Sequence, residues 1–313
     1  MIVERETQYY KPLEVTVTTE DAGKQVRQIL HKKLGISRSL LTQVKQTAFG
    51  LTVNEQRSYT TAPVQAGDII RLRMEKESSE DILPEPMELD ILFEDDYLLI
   101  INKPAGIIVH PTKGRYTGTL ANGVVAYWQQ KGEQFRFRPI HRLDEETSGV
   151  VAIAKTAYIH QQLSEQLQAD EVEKVYRAYI YGQPLEHKAT IDAPIDRDPD
   201  DPHTRTVIAT GYRAVTHYEV IQSNKSGTAS IVKLRLETGR THQIRVHMRY
   251  IGCPLIGDKL YRLSDYYQVG WEETVQRQAL HAEMLSFIHP MSKQRMSWYA
   301  PIPVDLLQLE EEW

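Results

Sequence analysis

The most restrictive feature of the chain is a charged loop set against an apolar run. His141-Arg142-Leu143-Asp144-Glu145-Glu146 packs four charged side chains and a histidine into six positions. Thr147-Ser148-Gly149 follows, and Val150-Val151-Ala152-Ile153-Ala154 is unbroken apolar sequence. The apolar run predicts a buried strand. The Thr-Ser-Gly triplet favours a tight turn through local side-chain bonds and a permissive glycine. Binding and catalytic sites are commonly built where a charged loop meets a buried strand, although composition alone also allows a solvated surface loop.

Charge distribution decides which partners such a loop could meet. The net charge of -5 argues against a nucleic-acid binder, but residues 75–96 hold ten acids against Lys76 alone and carry -9. The rest of the chain is therefore at +4. Between Lys24 and Lys45 lie six basic residues, Lys24, Arg27, Lys32, Lys33, Arg38 and Lys45, and no acid. Local patches rather than the total govern phosphate binding. That stretch is also patterned for two helices. Val26, Ile29, Leu30 and Leu34 make an apolar stripe, Gly35 stops it, and Ser37 caps a second stripe of Leu40, Leu41 and Val44. A solvated helix face would look similar; the lack of acids favours a phosphate-facing surface, with Lys32, Lys33 and Arg38 as contacts.

The length predicts two domains. Residues 1–19 read as an N-terminal extension with a weak strand at 13–17. Residues 20–74 form a small unit, residues 75–88 an acidic linker containing Pro84 and Pro86, and residues 89–313 the main domain. No apolar run approaches a membrane span, and Met1–Glu6 lack a signal-peptide pattern. The single cysteine, Cys253, excludes a disulfide framework or multi-cysteine zinc site and reads as a small packed residue. A reducing cytoplasm is expected. In the main domain, helices are expected at Leu120–Gln130 and after Thr156, among irregularly interspersed strands. That pattern is α+β.

Four stretches of the main domain, taken in order, resemble the motifs of the RluA family of RNA pseudouridine synthases. They are Asn102-Lys103-Pro104-Ala105-Gly106 with Val109-His110-Pro111, the His141–Gly149 loop, Lys174-x-Tyr176-x-Ala178, and Gly239-Arg240-Thr241-His242-Gln243-Ile244-Arg245-Val246-His247 continuing to Gly257-Asp258 and Tyr261. Arg262 departs from the family's usual glycine, and Glu145 stands where a basic residue is frequent. Residues 20–74, with two basic helices, a turn near Asn54 and a Gly67-Asp68-Ile69-Ile70 strand, resemble an S4-type RNA-binding domain.

The resemblance implies a mixed, mainly antiparallel sheet crossed by the active cleft, and isomerisation of uridine within RNA. That reaction cuts the N1–C1′ bond, turns the base over and joins C5 to C1′, with no redox change, metal or cofactor. It implies Asp144 as the catalytic carboxylate, Arg245 as its cationic partner and Tyr176 as the residue that stacks on the base and moves a proton. Arg142 would fill the gap left by the flipped nucleotide. His141, Lys103 and Arg240 are further expected RNA contacts. A monomer acting on ribosomal RNA rather than tRNA is expected, with neither DNA nor a membrane as partner. A non-catalytic RNA-binding protein and a carboxylate-dependent hydrolase of nucleosides or glycans are the competing readings. A metal site at His242 and His247 is disfavoured because residues five apart do not share a helical face.

Overall fold

The computed structural model describes residues 8–263 and 270–313. Met1–Thr7, and with them the start of the expected extension, lie outside the described residues. The N-terminal unit holds β1 (Leu13–Thr16), α1 (Val26–Leu34), α2 (Arg38–Val44), β2 (Leu51–Val53), β3 (Gln56–Arg57) and β4 (Ile69–Leu72). Its sheet runs β1-β4-β2-β3, all antiparallel, with Leu13 opposite Leu72. The strand near residue 13 is thus an integral edge of this sheet and not part of an appended extension. Gly35 takes the left-handed conformation (φ 64°) and closes α1, and the Ser37 hydroxyl accepts from the Leu40 amide at 3.1 Å to start α2.

The main domain continues with β5 (Asp90–Glu94), β6 (Leu98–Lys103), α3 (Leu120–Gln130), β7 (Ser148–Ala154), α4 (Ala157–Gln168), β8 (Glu173–Tyr181) and β9 (Lys188–Asp192). Then come β10 (Ile195–Arg197), β11 (Arg205–Val207), β12 (Val215–Ser223), β13 (Ala229–Leu236), α5 (Gln243–Tyr250), α6 (Trp271–Thr274), β14 (Leu280–Ile288), β15 (Arg295–Tyr299) and α7 (Val304–Glu311). Nine strands form one sheet in the order β5-β6-β7-β14-β8-β13-β12-β9, with β15 on β14; β10 and β11 make a separate ribbon. Among the described residues the β7–β14 pair is parallel and its neighbours are antiparallel, so the domain is α+β with a mainly antiparallel sheet.

Every residue of β7 is buried, as the apolar run requires. The tight turn falls earlier than the sequence suggests. The Thr147 amide donates to the Asp144 carbonyl at 3.1 Å, and Ser148 and Gly149 already belong to the strand. Gly149 is there for a different reason: its φ is +119°, and a Cβ would lie 2.2 Å from the Ala282 carbonyl oxygen on β14. Any side chain would break the parallel pair that fixes the end of the charged loop.

The acidic segment 75–88 connects the two units without helix or strand, yet it is anchored at several points. Ile82 is buried, the Ser79 hydroxyl accepts from the Phe137 amide, and Asn122 on α3 donates to the Leu83 carbonyl. The units are further joined at α4. Tyr158 and Gln161 donate to the Leu34 and Gly35 carbonyls at 2.9 and 2.7 Å, which satisfies the exposed end of α1. No described helix is long and apolar enough to cross a membrane.

Candidate active site

The loop from His141 to Thr147 runs along a cleft of about 1160 Å³. It is held there by buried side chains from three directions. The Lys103 ammonium, fully buried at the end of β6, donates to the carbonyls of Pro104 (2.8 Å), Ile107 (2.8 Å) and Glu145 (3.0 Å). Arg277, clamped by the Asp305 carboxylate, donates to the Glu146 carbonyl at 3.1 Å. Gln278 donates to the Thr147 hydroxyl at 3.2 Å. Burial pushes the Lys103 pKa down to about 7, and the charge of Arg277 acts in the same direction. Three carbonyl acceptors nevertheless match the three N–H groups of an ammonium and not the two of an amine.

These contacts take Lys103 out of the expected RNA contacts and leave His141 on the cleft wall with its polar atoms facing the interior. Lys103 reads as a turn residue in the sequence, but its side chain is sealed inside and braces the loop. His141 also turns its polar atoms inward: Nε2 donates to the Val150 carbonyl at 3.1 Å, and Nδ1 is buried with no hydrogen-bond partner. Burial lowers its pKa to about 4, so the ring is neutral near pH 7. Glu145 faces a different neighbour, with its carboxylate 2.6 Å from Arg115.

Asp144 projects into the cleft, about a quarter exposed, and its Oδ2 lies 3.3 Å from Nη1 of Arg245. Arg245 is 4 % exposed, not the solvated helix arginine its setting on α5 also allowed. Its Nε and Nη2 are taken by the two oxygens of Asp258 at 2.6 and 2.9 Å, so the fork is fixed and the third nitrogen is aimed at Asp144. Asp258 is fully buried and also accepts the amides of Leu260 and Tyr261. The sequence carries Asp258 inside a motif but gives no sign of this role. The departure at Arg262 is accommodated locally: its Nε donates to the Asp258 carbonyl, and its guanidinium lies 3.6 Å from Glu272.

His242 is a second residue whose place the sequence does not reveal. It adopts a left-handed conformation (φ 58°) at the start of α5, which sets its Nε2 3.9 Å from Asp144 Oδ2. The Tyr261 hydroxyl accepts from the Arg205 amide and lies 2.8 Å from His242 Nδ1, which holds the ring in place. Burial depresses the His242 pKa, partly opposed by the charge of Asp144. His247 is spent elsewhere, on Thr216 and the Ala193 carbonyl. Gln243 ties the loop before α5 to β12 by accepting from the Arg240 amide and donating to Val215 and Thr216.

Tyr176 lies in the same cleft on β8, 8 % exposed. Burial first, then the charge of Asp144, raises the pKa of its phenol, so the hydroxyl keeps its proton. Arg142 and Arg240 line the cleft with exposed side chains, Arg240 stacking over Tyr212. Cys253 is buried and its thiol is pushed up to about 11, in keeping with a packing role. Lys32, Lys33 and Arg38 are not in the cleft; they sit on the N-terminal helices with exposed side chains.

A family model described as RNA pseudouridylate synthase matches residues 97–250, the span from β6 to α5. The uncharacterized RNA pseudouridine synthase YjbO of Bacillus subtilis (strain 168) is 40 % identical over 278 residues, covering 88 % of this chain and 95 % of its own length. The ribosomal large subunit pseudouridine synthase D of Neisseria meningitidis serogroup A is 40 % identical over 306 residues, covering 94 % of this chain and 80 % of its own. Among solved structures, human RNA pseudouridylate synthase domain containing 1 superposes with a TM-score of 0.56 at 25 % identity, over 69 % of this chain and 86 % of that one. With the order of motifs, the sheet and the relatives all in agreement, the chain belongs to the RluA family of RNA pseudouridine synthases, isomerases of uridine in RNA.

Proposed function

We propose that Asp144 is the catalytic carboxylate, that Arg245 pairs with it and aims it, and that the substrate is large-subunit ribosomal RNA. The observation that carries this reading is the Asp258–Arg245–Asp144 chain of contacts, which presents one carboxylate to a cleft large enough for a nucleotide. The target uridine must leave its stack to reach that carboxylate, because the glycosidic bond is inaccessible inside a helix. Asp144 attacks or stabilises C1′ as the N1–C1′ bond breaks and the electron pair leaves with uracil N1. The base turns, C5 bonds to C1′, the C5 proton departs and N1 is protonated, so Asp144 is restored and nothing is oxidised. Tyr176 supplies a ring for the base to stack on. With its phenol protonated it cannot begin as a base, so a proton-accepting role requires it to give up its own proton first.

Arg142 takes the space left by the flipped nucleotide in this reading, which its exposure and its place in the cleft two residues before Asp144 support. The N-terminal unit from β1 to β4 acts as an S4-type RNA-binding unit, with Lys32, Lys33 and Arg38 as phosphate contacts. The ribosomal substrate is supported by the relatives named as large-subunit synthases. We place the enzyme in the cytoplasm as a monomer, in accord with its single buried cysteine.

The test is release of tritium from large-subunit ribosomal RNA labelled at uridine C5, since that hydrogen leaves only as the new carbon–carbon bond is completed. Asp144→Asn keeps the shape of the side chain and should lower release by roughly 10³-fold or more while leaving RNA bound. Undiminished release would remove Asp144 from the chemistry. Release of free uracil would point to a hydrolase instead.

A further inference from the structure

Three buried cations line the cleft, and two of them are clamped by carboxylates: Arg245 by Asp258, Arg277 by Asp305. The third, Lys174, is 9 % exposed, and its side chain has no hydrogen bond or ion pair among the described residues. It stands two residues before Tyr176 on β8, so both side chains leave the same face of the strand. Its ammonium lines the cleft and, on the other side, a groove of about 890 Å³ bounded by β8, β9, β12 and β13. That groove is lined by as many acids as bases, several of them paired with each other, so it is not itself a phosphate track. The neighbouring imidazole of His141 is neutral and cannot share the charge. Burial depresses the Lys174 pKa, partly opposed by the charge of Asp170.

The Lys174 ammonium is not among the sealed, unpartnered polar atoms of the described residues, so it opens to the cleft while its stem is packed. A cation held in place and open to the site of a polyanion is available to one of its charges. We propose that Lys174 is a phosphate contact for the substrate RNA on the inner wall of the cleft, where the strand enters beside Tyr176; the assignment rests on the cleft being the RNA site argued above. A phosphate is the anion this ligand carries at every nucleotide, and a partly dehydrated cleft makes one ammonium–phosphate contact strong.

Binding of the full-length protein to a large-subunit ribosomal RNA transcript tests the assignment. Both partners of the comparison carry Asp144→Asn so that turnover does not intervene. Adding Lys174→Met should weaken binding about 10- to 100-fold, the range for one charge-assisted bond. It should also make the log–log salt slope shallower by about 0.7. At the same time Tm should stay within about 2 °C of the parent, because the apolar stem is kept and only a solvent-reaching ammonium is lost. A merely structural lysine would lower Tm instead. Lys174→Arg should restore most of the affinity. Unchanged affinity and slope, or a loss of affinity that tracks a fall in Tm and is not restored by arginine, overturns the proposal. Tritium release by the wild type, measured alongside, judges the Asp144 reading independently: an active wild type with an unmoved Lys174→Met isotherm removes Lys174 alone.

Discussion

In the cleft, one arginine stands between two carboxylates; at the first N-terminal helix, three lysines surround one. Asp258 is fully buried and Arg245 nearly so, with every guanidinium nitrogen assigned to a stated oxygen. Asp21 is buried too, but Lys24, Lys32 and Lys33 reach it at 2.7, 3.5 and 3.2 Å from side chains 40, 59 and 38 % exposed. The first arrangement is net negative and geometrically rigid, so it can hold a reacting carboxylate in one place. The second is net positive, and its ammonium groups sit on flexible stems in water. It offers charge without fixed direction, which suits a phosphate backbone read for shape and not for sequence. Asp21 also explains how six bases can crowd residues 24–45: a carboxylate just outside that window gathers three of them and leaves an excess of two charges facing solvent.

The contrast breaks most visibly at Arg245. Arg245→Ala should reduce turnover by roughly 10²-fold or more and destabilise the fold by about 3–5 kcal/mol, because Asp258 is left buried without its cation. Tritium release and denaturant unfolding would measure the two effects. A variant of wild-type stability would mean that the Asp258 pair is dispensable to the fold.

Acid should act on the two regions differently. His141 has a folded pKa of about 4 against an ordinary 6.5, and burial shifts His242, His247 and His281 the same way. Groups depressed in the folded state contribute stability that is full above the unfolded value and is lost as pH falls towards the folded one. The main domain should therefore weaken between pH 6.5 and 4, by about 3 kcal/mol from His141 alone. The hydrogen bond from Lys24, assisted by Lys33, holds the Asp21 carboxyl well below the usual carboxylate range. Its contribution persists until the pH drops below the ordinary carboxylate value of 3.8. Hydrogen exchange followed by peptide across this window would show β7 and α5 losing protection before α1. Equal loss in both units would contradict the assignment.

The smallest effect is expected on the N-terminal face. Replacing Lys32, Lys33 and Arg38 with Ala should weaken RNA binding and flatten its salt dependence by up to about 2 in log–log slope, near 0.7 for each phosphate that is no longer neutralised. An unchanged slope would make these side chains merely solvated. Turnover at saturating RNA should stay near that of the wild type, which separates this surface from the cleft.

What the sequence made legible was local. Gly35 and Ser37 end and begin helices by backbone rules that need no tertiary knowledge, and α3 occupies the expected residues 120–130. The positions of Asp144, Tyr176 and Arg245 followed from motif spelling, and the fold brings them to one cleft. What stayed hidden depends on partners distant in the chain. Strand β1 looked like an appendage because its partner is Leu72. Asp258 shows its purpose only once α5 has turned Arg245 inward. Lys103 was misplaced for a related reason: a lysine before Pro-Ala-Gly has the local chemistry of an exposed turn, and only the three carbonyls around it reveal an interior site.

Those three carbonyls have a consequence for how RNA binding energy is used. Ordering a residue's backbone costs about 1–2 kcal/mol. The turn from Asp144 to Thr147 has already met that entropy during folding, through Lys103, Arg277 and Gln278. Nothing in this part of the site waits for the substrate to organise it. The free energy released when RNA docks is then available for the step that opposes it most directly, drawing a uridine out of its stack, which costs a few kcal/mol. The lysine inside the protein touches only backbone carbonyls, and what it supplies is an already ordered loop, which leaves less entropy for binding to remove.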